Sequence, residues 1–360
     1  MNQQHDKNAD MYEQRPLKRR IFSLPSLLLF VIFAAFVYFL LTQFPTDWSA
    51  TFDTIAHMNP WYYLLAFALY YATFILRGQR WRMLAQNTGD LDDIPHGRLP
   101  TIRESSTYIL IGWFVNSITW LRMGDGYRAW LFARGSGGSF SWSLGTVLAE
   151  RVLDVVSMLL ILLASALFLL FSARSISDAA VFVIPGTSFV IPSHIVVILG
   201  IFVVVVLSLC VLVAMKLWGP RFARFLPSRL EDEFHRFQSG TLGSMKQMPT
   251  VIALGGGAWV LEVARLYFVA QALGLEVPLA LIAIAALSAA ILSTVPIPGG
   301  VGFVESGIIG VLLLALGRPE AVSIALVDRS ITFVSVIVIG GVVFLISQVW
   351  GQRQSSPEYT

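Results

Sequence analysis

The chain has 360 residues, of which 56% are hydrophobic and only 13% charged, with a formal net charge of +3. Soluble domains carry about 25% charged residues, so this composition excludes an ordinary soluble fold and a charge-rich disordered chain. A lone cysteine, Cys210, excludes an intrachain disulfide, and the five histidines (His5, His57, His96, His194, His235) show no zinc-ligand spacing, so neither a metal nor a cofactor is expected.

In chain order, a polar tail of residues 1–20 ends in Lys18-Arg19-Arg20 and leads into an apolar run at 21–41. That run is longer than a signal-peptide core and many others follow, so an uncleaved first span is expected. Further apolar runs fall at about 61–76, 105–121, 126–133, 142–171, 195–217, 251–273, 279–295, 302–316 and 321–350. Several reach the ~18–20 residues needed to cross a bilayer as a helix. They are apolar all round rather than one-sided, and they lack the short alternating segments of a transmembrane barrel.

Loop charge sets the expected orientation. Bases crowd residues 7–20, 77–103 and 216–246, whereas 42–59 and 274–278 have none and 172–193 has only Arg174. By the positive-inside rule both termini, including the tail at 351–360, are expected in the cytoplasm, in a multi-pass plasma (inner) membrane protein. The same bases are expected to meet lipid headgroups rather than nucleic acid. The interleaved phenylalanines and charges of 220–248 fit an amphipathic helix at the cytoplasmic interface.

This topology leaves two stretches unable to cross an odd number of times. Residues 105–134 and 279–316 are therefore expected to be re-entrant hairpins, turning at Gly124-Asp125-Gly126 and at Pro298-Gly299-Gly300-Val301-Gly302. Such backbone is tolerated at membrane depth only where protein or a wet cavity covers it. The expected fold is all-α and polytopic: two inverted-topology repeats, 21–171 and 195–350, each with three spanning helices and one hairpin, joined by an external loop at 172–194.

Charges inside the apolar runs recur with the repeat. Glu150-Arg151 lies 26 residues beyond Gly124, and Asp328-Arg329 lies 26 residues beyond Gly302. Arg80 and Arg265 are each followed at +6 by glutamine, Gln86 and Gln271. Charges at bilayer depth are costly and mark polar interiors, and broken helices at matching positions mark transporter sites. Arg151 and Arg329 suit phosphate by the planar fork of the guanidinium. Glu150, Asp154, Asp328, Asp125, Arg128 and Glu305 complete the expected headgroup cavity, with Arg80, Glu262 and Arg265 secondary. A purely structural role, neighbouring charges neutralising each other, is the alternative for Glu150-Arg151 and Asp328-Arg329. Glu262 and Arg265, at i, i+3, are expected to pair. Arg77, Arg80 and Arg82 read as headgroup anchors at the end of the second span, and Trp113 as a packing or interfacial aromatic.

The motifs Arg80-Trp81-Arg82, Gly124-Asp125-Gly126-Tyr127-Arg128, Glu150-Arg151-Val152-Leu153-Asp154, Pro298-Gly299-Gly300-Val301-Gly302-Phe303-Val304-Glu305 and Asp328-Arg329 together resemble the lysylphosphatidylglycerol synthase transmembrane-region family, the flippase-like integral membrane proteins. The resemblance spans about residues 21–350. The first turn departs from the family pattern in lacking a proline before its glycine and in having Asp125 in place of Glu. The namesake enzymes add a cytosolic aminoacyl-transferase domain; no polar stretch here is long enough to hold one, and no Walker, Rossmann or nucleophile-elbow motif occurs. The resemblance thus implies translocation of a phospholipid or lipid-linked headgroup, with no enzyme activity of its own. The expected partners are membrane lipids with anionic or phosphate-bearing headgroups. A non-transporting partner of a separate lipid-modifying transferase and a small-solute or ion transporter remain alternatives.

Overall fold

A computed structural model describes residues 46–88, 98–172, 181–183, 190–192, 213, 217 and 227–354. The expected first span, the run at 195–217, both tails and most of the 172–194 loop lie outside the described residues. What is described is helical apart from two three-residue antiparallel strands, Val181–Val183 and Val190–Pro192.

The first helix, α1 (Trp48–Ala56), is capped by the Asp47 carboxylate, which accepts from the Ala50 amide at 3.2 Å. Asn59 caps the next helix, α2 (Pro60–Asn87), and Pro60 opens it where no amide hydrogen is needed. At 28 residues α2 runs about 42 Å, well past the apolar run read from sequence, and so carries Arg77, Arg80 and Arg82 as helical residues. The next helix, α3 (Ile102–Ile118), starts on a Thr101/Glu104 capping box.

After α3 the chain reverses through a 3-10 turn at Trp120–Arg122 and returns as α4 (Met123–Ser136). Contacts of Gly124 with Asn116, of Arg128 with Gly112 and of Gly135 with Tyr108 show that the two helices run antiparallel. The reversal corrects the expected turn. It is made by Leu121 and Arg122 at φ of 58° and 52°, whereas Gly124 and Gly126 lie in the first turn of α4. Gly124 answers a different need, because a Cβ there would collide with the Gly112 carbonyl oxygen of the opposite arm.

The long helix α5 (Phe140–Ser172) carries Glu150, Arg151 and Asp154. Helix α6 (Ser228–Gly243) crosses it at close range, Gly240 against the Trp142 carbonyl and Gly145 against that of Phe237. As expected for an amphipathic segment, α6 leaves Asp232, Glu233, His235 and Arg236 exposed and turns Phe234 and Phe237 partly inward.

The helix α7 (Met248–Ala272) lies along α2. It is followed by α8 (Leu279–Leu292), a Pro298–Gly300 turn and α9 (Phe303–Leu312). Gly307 against Ser288 and Leu292 makes this second pair antiparallel as well. Here the glycines do make the turn: Gly299, Gly300 and Gly302 have φ of 60°, 62° and 87°, a region that costs other residues about 1–2 kcal/mol.

The last helix begins as α10 (Arg318–Arg329), widens into π turns over Ser330–Val334 and Val336–Gly340, and ends as α11 (Gly341–Gln354). Tyrosines of α2 hold the wide stretch: Tyr63 to Ser330 at 3.0 Å, Tyr70 to the Thr332 carbonyl at 3.2 Å and Tyr71 to Ser335 at 2.8 Å. Two described segments, Met248–Ala272 and Arg318–Gln348, are by themselves long and apolar enough to cross a membrane.

Beside an apolar core, the interior holds charged side chains, and large apolar side chains face outward. Arg80, Arg128, Glu150 and Glu305 are at most 1% exposed, while Trp61, Leu64, Ile75, Leu160, Val338 and Leu345 are more than half exposed. Such an exposed apolar exterior suits a lipid solvent.

Candidate functional site

The expected charges converge from helices far apart in sequence. Glu150 does not pair with its neighbour Arg151. It accepts from Arg80 of α2 at 3.1 Å and from Arg128 of α4 at 2.8 Å. Arg151 turns instead to Asp125, at 2.6 Å. One α-helical step rotates side chains by about 100°, so adjacent residues face different partners.

The same exchange occurs in the second half. Asp328 pairs with Arg265 of α7, and Arg329 pairs with Glu305 of α9 at 2.5 Å. In each half, then, the acid of the acid–arginine pair binds the arginine of one long helix, and the arginine binds the carboxylate that follows the hairpin turn. Alternation of sign gives each of these buried charges an opposite partner, where a lone one would cost several kcal/mol.

Further pairs knit the groups together. Asp154 receives Arg80 at 2.7 Å and the Trp259 indole at 3.3 Å, with Arg77 and Arg151 farther off at 3.7 and 3.8 Å. Asp125 also faces Arg128 at 3.2 Å and Arg122 at 3.5 Å. Glu262 and Arg265 pair at 3.1 Å, as their spacing predicts, and Glu262 also meets Arg77 at 3.5 Å. Aromatic faces stabilise the guanidinium groups away from water: Trp81 under Arg128 at 5.0 Å and Phe333 under Arg329 at 4.5 Å. Gly255 of α7 makes the room for Arg80, whose Nη1 would meet a Cβ there.

A cavity of about 330 Å³ opens in the middle of this network. The two hairpin tips meet at it. Arg122 donates to the Ser293 carbonyl at 2.5 Å, and Leu121 N lies 3.4 Å from the Pro296 carbonyl. Arg329 anchors the second turn by donating to the Gly299 carbonyl at 2.9 Å, and the Gly302 amide donates to Glu305 at 2.6 Å.

Of the sequence-predicted residues, Arg151, Asp154, Glu262, Arg265, Asp328 and Arg329 line the cavity, as do Gly299 and Gly300. Arg80, Asp125, Arg128, Glu150 and Glu305 do not; they stand behind the lining and fix it. Pro298 is buried in the second turn. Gly124 and Gly126 belong to α4, away from the reversal.

Sequence reasoning read Arg77 and Arg80 as headgroup anchors, with Arg80 also secondary to the cavity. Both are buried, Arg77 lines the cavity, and α7 packed along α2 is the cause. Arg122 was missed, as were the cavity-lining Tyr70, Trp113, Trp259 and Phe333. No signal in the chain marks Arg122 except its place two residues before Gly124.

Counting charges gives the site its sign. Five arginines line the cavity (Arg77, Arg122, Arg151, Arg265, Arg329) against three carboxylates (Asp154, Glu262, Asp328). Adding the supporting shell gives seven arginines to six carboxylates.

A helical exterior of apolar side chains around a charged, hollow interior defines an integral membrane protein with an internal polar site. The chain belongs to the lysylphosphatidylglycerol synthase transmembrane-region family, whose model matches residues 26–340. It is similar to a UPF0104 membrane protein of Methanocaldococcus jannaschii, 28% identical over 65% of this chain and 94% of the relative. UPF0104 membrane proteins of Methanothermobacter thermautotrophicus (26% identical, covering 78% of this chain and 84% of the relative) and Pyrococcus horikoshii (24%, 66% and 75%) are also similar.

Proposed function

We propose that this protein is a flippase-like translocator that admits the phosphate-bearing headgroup of a membrane lipid to the arginine-lined cavity while the acyl chains stay in lipid. The observation that carries the proposal is a cavity lined by five arginines, in a network where guanidinium groups outnumber carboxylates by one. Burying more cations than anions is expensive, and an anionic ligand offsets that cost. Arginine binds phosphate oxygens through paired, directional hydrogen bonds. Membership of a transmembrane-region family fits this reading.

In this proposal the two hairpins are re-entrant. Their arms hold 17, 14, 14 and 10 residues. At 1.5 Å per residue these span about 25, 21, 21 and 15 Å, short of the ~30 Å hydrocarbon core. The repeated exchange of ion-pair partners supports two repeats, and loop charge supports their inverted topology in the plasma membrane with cytoplasmic termini. Headgroup-binding roles fall to Arg151 and Arg329, oriented by Asp125 and Glu305. Glu150, Asp328, Asp154 and Arg128 hold the surrounding helices.

The test is leaflet exchange of labelled phosphatidylglycerol and phosphatidylcholine in proteoliposomes. The Arg151→Ala/Arg329→Ala variant, shown by gel filtration to be folded, should move phosphatidylglycerol roughly 10–100-fold more slowly than wild type, the loss expected for charged hydrogen bonds. An unchanged rate would remove these arginines from the site.

A further inference from the structure

We propose that Arg77 is a phosphate-binding residue of this cavity. The inference rests on the headgroup reading above and names the atom group that does the binding.

Most lining arginines are tightly committed. Arg151 is 2.6 Å from Asp125, Arg329 is 2.5 Å from Glu305, Arg122 is 2.5 Å from the Ser293 carbonyl, and Arg265 holds Glu262 at 3.1 Å and Asp328 besides. Arg77 has only long contacts, 3.5 Å to Glu262 and 3.7 Å to Asp154. Its Nε has no hydrogen-bond partner although the residue is 3% exposed; Arg151, Arg265 and Arg329 each leave one such nitrogen too, but Arg77 differs in having no ion-pair contact shorter than 3.5 Å. A buried donor without a partner calls for one, and a ligand oxygen is the partner the cavity can admit.

The guanidinium is also held in place for that role. Trp113 and Trp259 lie at 5.2 and 4.9 Å from its central carbon. Two ring faces supply cation–π attraction and restrict the plane of the fork, so little entropy is lost on binding. Arg77 is moreover the one described ion-pair link between the carboxylates of the first half and those of the second, through Asp154 and Glu262. A phosphate on Arg77 therefore sits between the two halves and replaces long contacts with short ones. The chemistry recognised is a phosphate group, whether carried by a lipid or in solution.

The experiment titrates the purified full-length protein in detergent with short-chain phosphatidylglycerol and, separately, with inorganic phosphate, by calorimetry. Wild type is compared with Arg77→Lys, which keeps the charge but loses the fork, and with Arg77→Gln/Glu262→Gln, which leaves no orphaned carboxylate at Glu262. The expected result is binding weakened about tenfold in Arg77→Lys, with a melting temperature near wild type, and roughly 10–100-fold in the double variant, shown by gel filtration to be folded. Wild-type affinity in the folded Arg77→Lys protein would overturn the assignment while leaving the headgroup reading intact. Binding of inorganic phosphate alone, weakened by the substitutions, would support Arg77 and refute the lipid. Wild type binding neither probe would overturn the inference together with the reading on which it rests.

Discussion

Arg80 lies between Glu150 and Asp154, at 3.1 and 2.7 Å, with 1% of its surface exposed. Replacing it with alanine takes from Asp154 its closest cation and from Glu150 one of two; losing one member of a buried pair costs about 3–5 kcal/mol, and Arg128, still on Glu150 at 2.8 Å, offsets part of that. Arg80→Ala should therefore lower the thermal midpoint in detergent far more than Arg82→Ala, whose partial exposure lets water take over. Equal midpoints would contradict the network. A related test needs no charge change. Gly255→Leu fills the space that Arg80 Nη1 occupies, so it should destabilise by about 1–3 kcal/mol as overpacking, measured the same way. The charges themselves were legible in the sequence as intrusions into apolar runs. Their partners were not, because pairing depends on which helices touch: Glu150 and Arg151 are neighbours in the chain, but Glu150 binds Arg80 of α2 and Arg128 of α4 whereas Arg151 binds Asp125. Arg77 shows the limit most plainly. Beside Arg80 and Arg82 it reads as an interfacial base, and only the packing of α7 along α2 turns it inward.

The two hairpins solve one geometric problem with different residues. The second uses glycine at all three positive-φ positions, and a Cβ at Gly299 would run into the Phe333 ring. Gly299→Ala should cost at least the ~1–2 kcal/mol of a left-handed residue, seen as a lower midpoint. The first places Leu121 and Arg122 in that region instead. Leu121 is 76% exposed and so loses little packing when truncated. Leu121→Gly should thus stabilise the protein or leave it unchanged, the relieved strain offset by the added freedom of the unfolded chain; a marked loss would show that the leucine is held by contacts not in this account. This asymmetry explains why the second turn could be read from Pro298–Gly300 and the first was misplaced onto Gly124 and Gly126. Glycine signals backbone freedom and also close approach, and at Gly124 the second need is the one being met. The start of α2 was better read than its end: it opens at Pro60, next to the expected residue 61, but continues to Asn87, where the apolar pattern stops near residue 76.

Across the whole molecule, the pattern that matters is the repetition of one wiring scheme around one cavity. Acid to long helix, arginine to hairpin carboxylate, occurs at Glu150-Arg151 and again at Asp328-Arg329. The membrane class and the charged interior were legible from composition and from the 26-residue offset. The cavity was not, because its walls combine Tyr70, Trp113, Trp259 and Phe333, residues that carry no pattern in sequence and meet only through the fold. Five arginines and three carboxylates form that wall, seven and six with the partners behind it, and the proposed occupant of the space is an anionic headgroup. The most direct measurement is cross-linking with a phosphatidylglycerol that bears a photoreactive group on its headgroup, mapped by mass spectrometry in the reconstituted protein. Cross-links are expected at cavity residues such as Asn116, Ser117, Thr294 and Thr332, and unlabelled phosphatidylglycerol should compete them away. Cross-links confined to the exposed faces around Trp61, Leu64 and Leu345 would contradict the account.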